Sequence, residues 1–307
     1  MFNIVEKRHW YFLLSALVIL PGLAVMIYSG VVYRMPVRLG IDFTGGTLLE
    51  LRFETTTQPA DVRQVFTENG YTGTIVQTTA EDRTLLIRTK PMAPEAKAQV
   101  LDSLRQSMGS VEELRFESVG PAVGAEVTRA AAIAVTVAAL FILLFIIFAF
   151  RKVPNALRYG VCAIIAMIHD ILVTVGLFSI AGLVLGWEAD ALFLTALLTV
   201  IGFSVQDTIV VFDRIRENIP KRRGEPFETI VNRSLLETLH RSLATQLNAI
   251  FVLIALLLLG GATTKQFVAV LLVGLLSGTY SSLFNAVPLL VAWETGKVVG
   301  QARKAAF

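Results

Sequence analysis

The residues of this sequence that can do chemistry are ionisable groups set inside long apolar runs. Asp207 lies in the run 191–212, within Gly202-Phe203-Ser204-Val205-Gln206-Asp207-Thr208, about two helical turns before the charged boundary at Asp213 and Arg214. A charge at the centre of a bilayer costs at least about 2.5–3.5 kcal/mol, so such a residue faces a protein interior and marks a function. On a helix, Ser204 at i−3 and Val211 at i+4 share the Asp207 face, which makes Ser204 a supporting residue. Arg241 opens a later apolar run about two turns beyond Arg233, which places it at comparable depth on an antiparallel neighbour. The spacing predicts an Asp207–Arg241 pair. Desolvation and a guanidinium act oppositely on a buried carboxyl, so a small movement of either group changes its protonation, which suits proton carriage. A static ion pair that fixes helix packing explains the same two residues.

His169 and Asp170 sit midway along the run 157–185, and adjacent helical residues point about 100° apart. Asp170 is therefore the candidate second proton site with His169 in support; the alternative is a pair of neutral polar groups bonded between helices. Thr245, Gln246 and Asn248 add polar groups to the run 242–259, and Gly274, Gly278 and Ser282 have the small-xxx-small spacing of closely packed helices.

Other chemistries are excluded. Lys265 follows Gly260 and Gly261 without the frame that cradles phosphates, and no H-E-x-x-H or G-x-S-x-G occurs among the three His and the serines. The single Cys162 forms no intramolecular disulfide and no Cys-based metal cluster. The sequence reads as a non-enzyme without cofactor or metal, and any work it does must draw on an outside energy source.

These groups need elements to hold them, and the composition says which. Of 307 residues 54% are hydrophobic and only 17% charged, with a mean hydropathy of +0.66; soluble cores do not house that much apolar surface. Six segments reach the roughly 20 apolar residues a membrane helix needs: 11–33, 128–150, 157–185, 191–212, 242–259 and 267–293. The first has Lys7 and Arg8 before it, yet it is longer than the h-region of a signal peptide and reads as a retained helix with Pro21 inside.

The 27 Lys and Arg form no basic domain with interleaved aromatics, which excludes nucleic acid as a partner. They mark topology instead: Lys7, Arg8, Arg151, Lys152, Arg158, Arg214, Arg216, Lys221, Arg222, Arg223, Arg233, Lys297, Arg303 and Lys304 fall on one side, against Lys265 in the short loops of the other. The positive-inside rule puts both termini in the cytoplasm, and Lys221-Arg222-Arg223 beside anionic lipid.

The stretch 34–127 is then an exported domain with thirteen acidic and ten basic residues. Alternation at 47–53, 74–78, 84–89 and 111–117, helical periodicity at 59–69 and 94–108, and a turn at Ala80-Glu81-Asp82 read as β-α-β-β-α-β, the ferredoxin-like split βαβ order. The predicted class is a multi-pass α-helical membrane protein with six transmembrane helices and one exported α+β ferredoxin-like domain between helices 1 and 2. Its parts are a cytoplasmic N-terminus and first helix (1–33), the exported domain (34–127), a five-helix bundle (128–293) and a cytoplasmic tail (294–307).

Three stretches carry a family resemblance: Gly40-Ile41-Asp42-Phe43-Thr44-Gly45-Gly46, the run from Gln206-Asp207-Thr208 through Asp213-Arg214 to Asn218, and Gly278-Thr279-Tyr280-Ser281-Ser282. They resemble the SecF family of bacterial protein-export components over essentially the whole chain. The resemblance implies an inner-membrane subunit of the resistance-nodulation-division-like superfamily that uses the proton-motive force to help complete preprotein translocation. It implies SecD and the SecYEG translocon as partners, with YajC and YidC as further candidates, besides translocating preprotein and membrane lipid. The family's essential intramembrane Asp and Arg fall on Asp207 and Arg241; Gln206 and Phe203 stand where Asn and Tyr are common in the family. Gly45 and Gly46 read as a tight bend at the domain's entrance, with Asp42 capping it, and charges from Asp213 and Arg214 to Asn218 as contacts to neighbouring subunits. Two competing readings are a small-molecule efflux transporter of the same superfamily, which normally has two six-helix halves, and a passive translocon scaffold.

Overall fold

The computed structural model describes residues 3–79, 83–151, 153 and 155–296. The turn expected at Ala80-Glu81-Asp82, Lys152, and the tail with Lys297, Arg303 and Lys304 lie outside the described residues. The chain divides into two compact units, Met1–Arg38 with Ile133–Phe307, and Leu39–Ala132.

After the first long helix, α1 (Arg8–Tyr33), the smaller unit runs through a one-turn helix α2 (Ile41–Thr44), β1 (Gly46–Phe53), α3 (Pro59–Glu68), β2 (Ile75–Thr78), β3 (Thr84–Thr89), α4 (Pro94–Met108) and β4 (Val111–Val119). Both α3 and α4 begin with Pro, whose missing N–H is unneeded in a first turn. Strand order is β2-β3-β1-β4 with every pair antiparallel. Each β-α-β crossover therefore steps over one strand, which is the split βαβ arrangement of ferredoxin-like folds. Leu49, Leu51 and Phe53 of β1 and Ile87 of β3 join Val62, Phe66 and Leu104 from the helices in one core. Glu50 and Arg52 alternate to the other face, as the pleat requires.

The larger unit is helical: α5 (Pro121–Ala149), α6 (Ala156–Leu185), α7 (Ala191–Lys221), α8 (Phe227–Leu259) and α9 (Ala262–Ser281), then a π-helical segment (Ser282–Ala286) running directly into α10 (Val287–Thr295). Among the described residues six helices are long and apolar enough to cross a membrane, α9 to α10 counting as one. The inner layer is α6, α7 and α9 with α10; α1, α5 and α8 show their apolar faces outward. Leu17, Phe141 and Leu258 are exposed there, a surface that requires lipid as solvent. Phe150 stacked on Tyr159, with Phe212 edge-on to both, anchors one end of the core.

Two of the helices outrun their apolar windows. α7 continues from 212 to Lys221 and α8 begins at Phe227, not at 242. The polar ends satisfy each other: Asn218 donates to Ser234 (2.9 Å) and Glu237 (2.9 Å), and Arg214 to Glu237 (2.6 Å). The last span is not one regular helix, since the π segment widens its middle.

Candidate proton-coupling site

Asp170 is fully buried at the centre of α6 and faces α7 and α9. Three hydroxyls donate to it: Ser204 of α7 to Oδ2 (2.5 Å), Ser281 of α9 to Oδ2 (2.6 Å) and Ser277 of α9 to Oδ1 (2.6 Å). His169 Nδ1 stands 3.0 Å from the same Oδ1, and its Nε2 lies 3.1 Å from Ser15 Oγ on α1. Ser15 is in turn bonded to Asn285 of the π segment. One carboxylate of α6 thus gathers hydroxyls from α7 and α9 within hydrogen-bond range and reaches Ser15 of α1 through His169.

The close spacing of α7 and α9 makes this possible. A Cβ on Gly278 would stand 3.2 Å from the Ser204 Cα, and one on Gly274 would overlap the Val200 side chain. The small-xxx-small spacing therefore does packing work, drawing Ser204, Ser277 and Ser281 onto Asp170. Ser282, the third member of that spacing, instead donates to Thr279 O within its own helix turn.

Asp207 is the second buried carboxyl. It lies three residues beyond Ser204 on α7 and accepts a 2.6 Å hydrogen bond from Gln246 Nε2 of α8. The expected Asp207–Arg241 pair is absent among the described residues: Arg241 is exposed. The reason is angular. Ser234, Thr238, Ser242 and Gln246 recur every four residues and form the buried stripe of α8, whereas Arg241 is one residue, about 100°, off that stripe. Thr245 and Asn248 are exposed for the same reason.

Asp213 and Arg214 lie further along α7, outside this network. Asp213 pairs with Arg216, and Arg214 with Glu217 (2.8 Å) and Glu237 (2.6 Å), so both belong to the charged α7–α8 junction. In the smaller unit Asp42 sits in the first turn of α2, and Gly45 and Gly46 follow with φ of 73° and 132°. A Cβ on Gly45 would stand 2.8 Å from the Pro121 Cα, so the bend needs glycine for conformation and for space. Ser15, Ser277, Ser281 and Asn285 were not among the sequence candidates, because hydroxyls and amides in apolar helices give no signal of which way they face. Among the described residues no group of three or more His, Cys, Asp and Glu could hold a metal ion.

Residues 99–296 match the family model for the C-terminal part of the SecD/SecF protein export membrane protein, and residues 34–57 match the SecD/SecF GG motif. The chain belongs to the SecD/SecF family. It is 50% identical over 306 residues to the protein translocase subunit SecF of Thermobaculum terrenum, covering 96% of this chain and 94% of that one. The SecF of Anaerolinea thermophila is 49% identical over 301 residues, with 97% and 96% covered. The crystal structure of SecDF from Thermus, described as a translocon-associated membrane protein, superposes with a TM-score of 0.80 at 32% identity. It covers 96% of this chain, which spans only 39% of that longer one. Asp170, Asp207 and Arg241 all lie in the SecD/SecF C-terminal match, and Asp42, Gly45 and Gly46 in the GG-motif match.

Proposed function

We propose that this SecF-family chain is a protein translocase subunit that uses the proton-motive force to assist Sec-dependent preprotein translocation, with Asp207 and Asp170 as its proton-carrying groups. The observation that carries the reading is the pair of carboxyls inside lipid-embedded helices, each bonded from a neighbouring helix. A buried carboxyl that gains or loses a proton changes the bonds it can make, and so the helix packing it favours. Each charge moved across the membrane field contributes about 2.3 kcal/mol per 100 mV, enough to drive such a change. The chain carries no nucleotide motif to compete as an energy source; it works without cofactor and catalyses no covalent step.

Arg241 acts in the other half of the cycle. It precedes Gln246 by five residues, about 140° around α8, so a turn of α8 about its axis exchanges Gln246 for Arg241 beside Asp207. The positive-inside bias supports both termini being cytoplasmic and residues 34–127 exported, and the SecF kinship supports the inner membrane as the location. SecD and the SecYEG translocon are the partners, and YajC and YidC further ones; Lys221-Arg222-Arg223 meets anionic lipid on the inside.

Proton uptake into vesicles carrying the complex tests this, followed with a pH-sensitive dye after an imposed potential. The parent takes up protons, and Asp207→Asn, present at equal abundance, does not. Equal uptake by both ends the proton-carrier reading and leaves Asp207 as a packing residue of a passive scaffold.

A further inference from the structure

The hydrogen bonds around His169 leave one residue in two minds. Ser15 Oγ is within range of His169 Nε2 (3.1 Å), of Asn285 Nδ2 (2.8 Å, with the amide donating) and of Asn285 Oδ1 (3.1 Å, with the hydroxyl donating). A hydroxyl has one proton, so it can be given to the imidazole or to the Asn285 carbonyl oxygen, but not to both. Whichever it chooses, its partner on the other side has what is needed to complete the set. On the far side of the ring, Nδ1 faces Asp170 Oδ1 at 3.0 Å.

We propose that His169 is the relay that hands protons to Asp170, changing tautomer as it does so and turning the Ser15 hydroxyl from the imidazole to Asn285. This rests on the reading of Asp170 as a proton site. With Asp170 ionised, the ring carries its proton on Nδ1 and donates it to Oδ1; Nε2 accepts from Ser15, and Ser15 accepts from the Asn285 amide. An arriving proton binds Nε2, and the Nδ1 proton passes to Oδ1. The carboxyl is now neutral, the ring is neutral as before, and one proton has entered. Nε2–H donates to Ser15, whose own proton turns to Asn285 Oδ1. In both arrangements the imidazole, the Asp170 carboxyl and the Ser15 hydroxyl keep their partners, while the Asn285 carbonyl oxygen is bonded by Ser15 only in the second.

The entry side is also visible. Ser15, His169, Ser277 and Tyr280 share the wall of a cavity of about 280 Å³ between α1, α6 and α9, otherwise lined by apolar side chains such as Leu14 and Val173. The titratable side chains beside the ring, apart from Asp170, are Tyr280, stacked at 6.1 Å with its hydroxyl donated to Tyr11 O (2.7 Å), and Tyr11 itself. With its proton committed to Tyr11, the Tyr280 oxygen can only accept from Ser15, which it adjoins, and its ring packs the imidazole in place. The relay reaches beyond α6: Ser15 belongs to α1 and Asn285 to the π segment, so the charge on Asp170 sets which bonds hold those two elements together.

The test is ¹⁵N NMR of the histidine-labelled complex, with the His169 signals assigned by their loss in His169→Gln. In Asp170→Asn, Ser204 and Ser281 still donate to one position, which must be the amide oxygen; the amide nitrogen then falls at the Oδ1 position and donates to Nδ1. The expected result is Nδ1–H in the parent and Nε2–H in Asp170→Asn in the same buffer. The same tautomer in both overturns the relay. In gradient-driven preprotein release, His169→Gln slows the gradient-dependent part by about a hundredfold, the scale of a lost proton-transfer group. Loss of gradient dependence in Asp170→Asn but not in His169→Gln overturns the relay alone. Full gradient dependence in both overturns Asp170 as a proton site.

Discussion

At the scale of residues, Asp170 and Asp207 are held in contrasting ways. Asp170 receives three hydroxyls and faces an imidazole; Asp207 has one bond, from Gln246. Losing one donor to a buried carboxylate costs about 1.5–3 kcal/mol. Ser281→Ala should therefore lower the thermal stability of the complex, and an unchanged melting profile would contradict the bond's presence. Gln246→Leu leaves Asp207 buried among apolar groups without its bond and should destabilise by about 1–3 kcal/mol. Gln246→Glu, which can share one proton with Asp207, should recover part of that loss in acidic buffer. Both carboxyls were legible in the sequence, since a charge in an apolar run stands out. Of their donors, Ser204 and Gln246 stood out as polar groups, though not with these partners; Ser277 and Ser281 were not singled out as donors, because serine is common in membrane helices. Arg241 shows the limit of the reading: its depth along α8 followed from spacing, but its direction around the helix depended on which stripe α8 buries.

At the scale of elements, the site exists because α7 and α9 touch nearly backbone to backbone. Gly278→Val would force Ser204 away, and overpacking of this kind costs about 1–3 kcal/mol. The expected outcome is a less stable complex with weakened gradient dependence; wild-type behaviour in both would show that the helices have room to spare. The small-residue spacing was readable, and so was the smaller unit, whose strict alternation in β1 and β3 and Pro-led helices fixed the element order. The π segment was not. Its wider turn comes from how the last span packs against α1, α6 and α7, and no local pattern in Ser282–Ala286 announces it. The helical continuation of α7 and α8 beyond their apolar windows escaped for a similar reason: hydropathy marks where lipid ends, while Asn218, Ser234 and Glu237 keep both helices paired past that point.

At the scale of the whole molecule, the reading requires that residues 34–127 and the Lys221-Arg222-Arg223 junction lie on opposite sides of the membrane. Cys162 is buried and is the chain's single cysteine, so introduced thiols report cleanly. In intact cells a membrane-impermeant maleimide should label Gln106→Cys, exposed on α4, and spare Arg223→Cys, exposed past the end of α7; the opposite pattern would invert the topology. The central claim is that proton passage at the buried carboxyls drives the completion of export. Its most direct test is preprotein release from membrane vesicles of defined orientation, with and without a proton gradient, comparing the parent with Asp207→Asn at equal complex abundance. Loss of only the gradient-dependent part is the predicted result. Gradient dependence equal to the parent's would contradict the claim and reduce Asp207 to a packing residue.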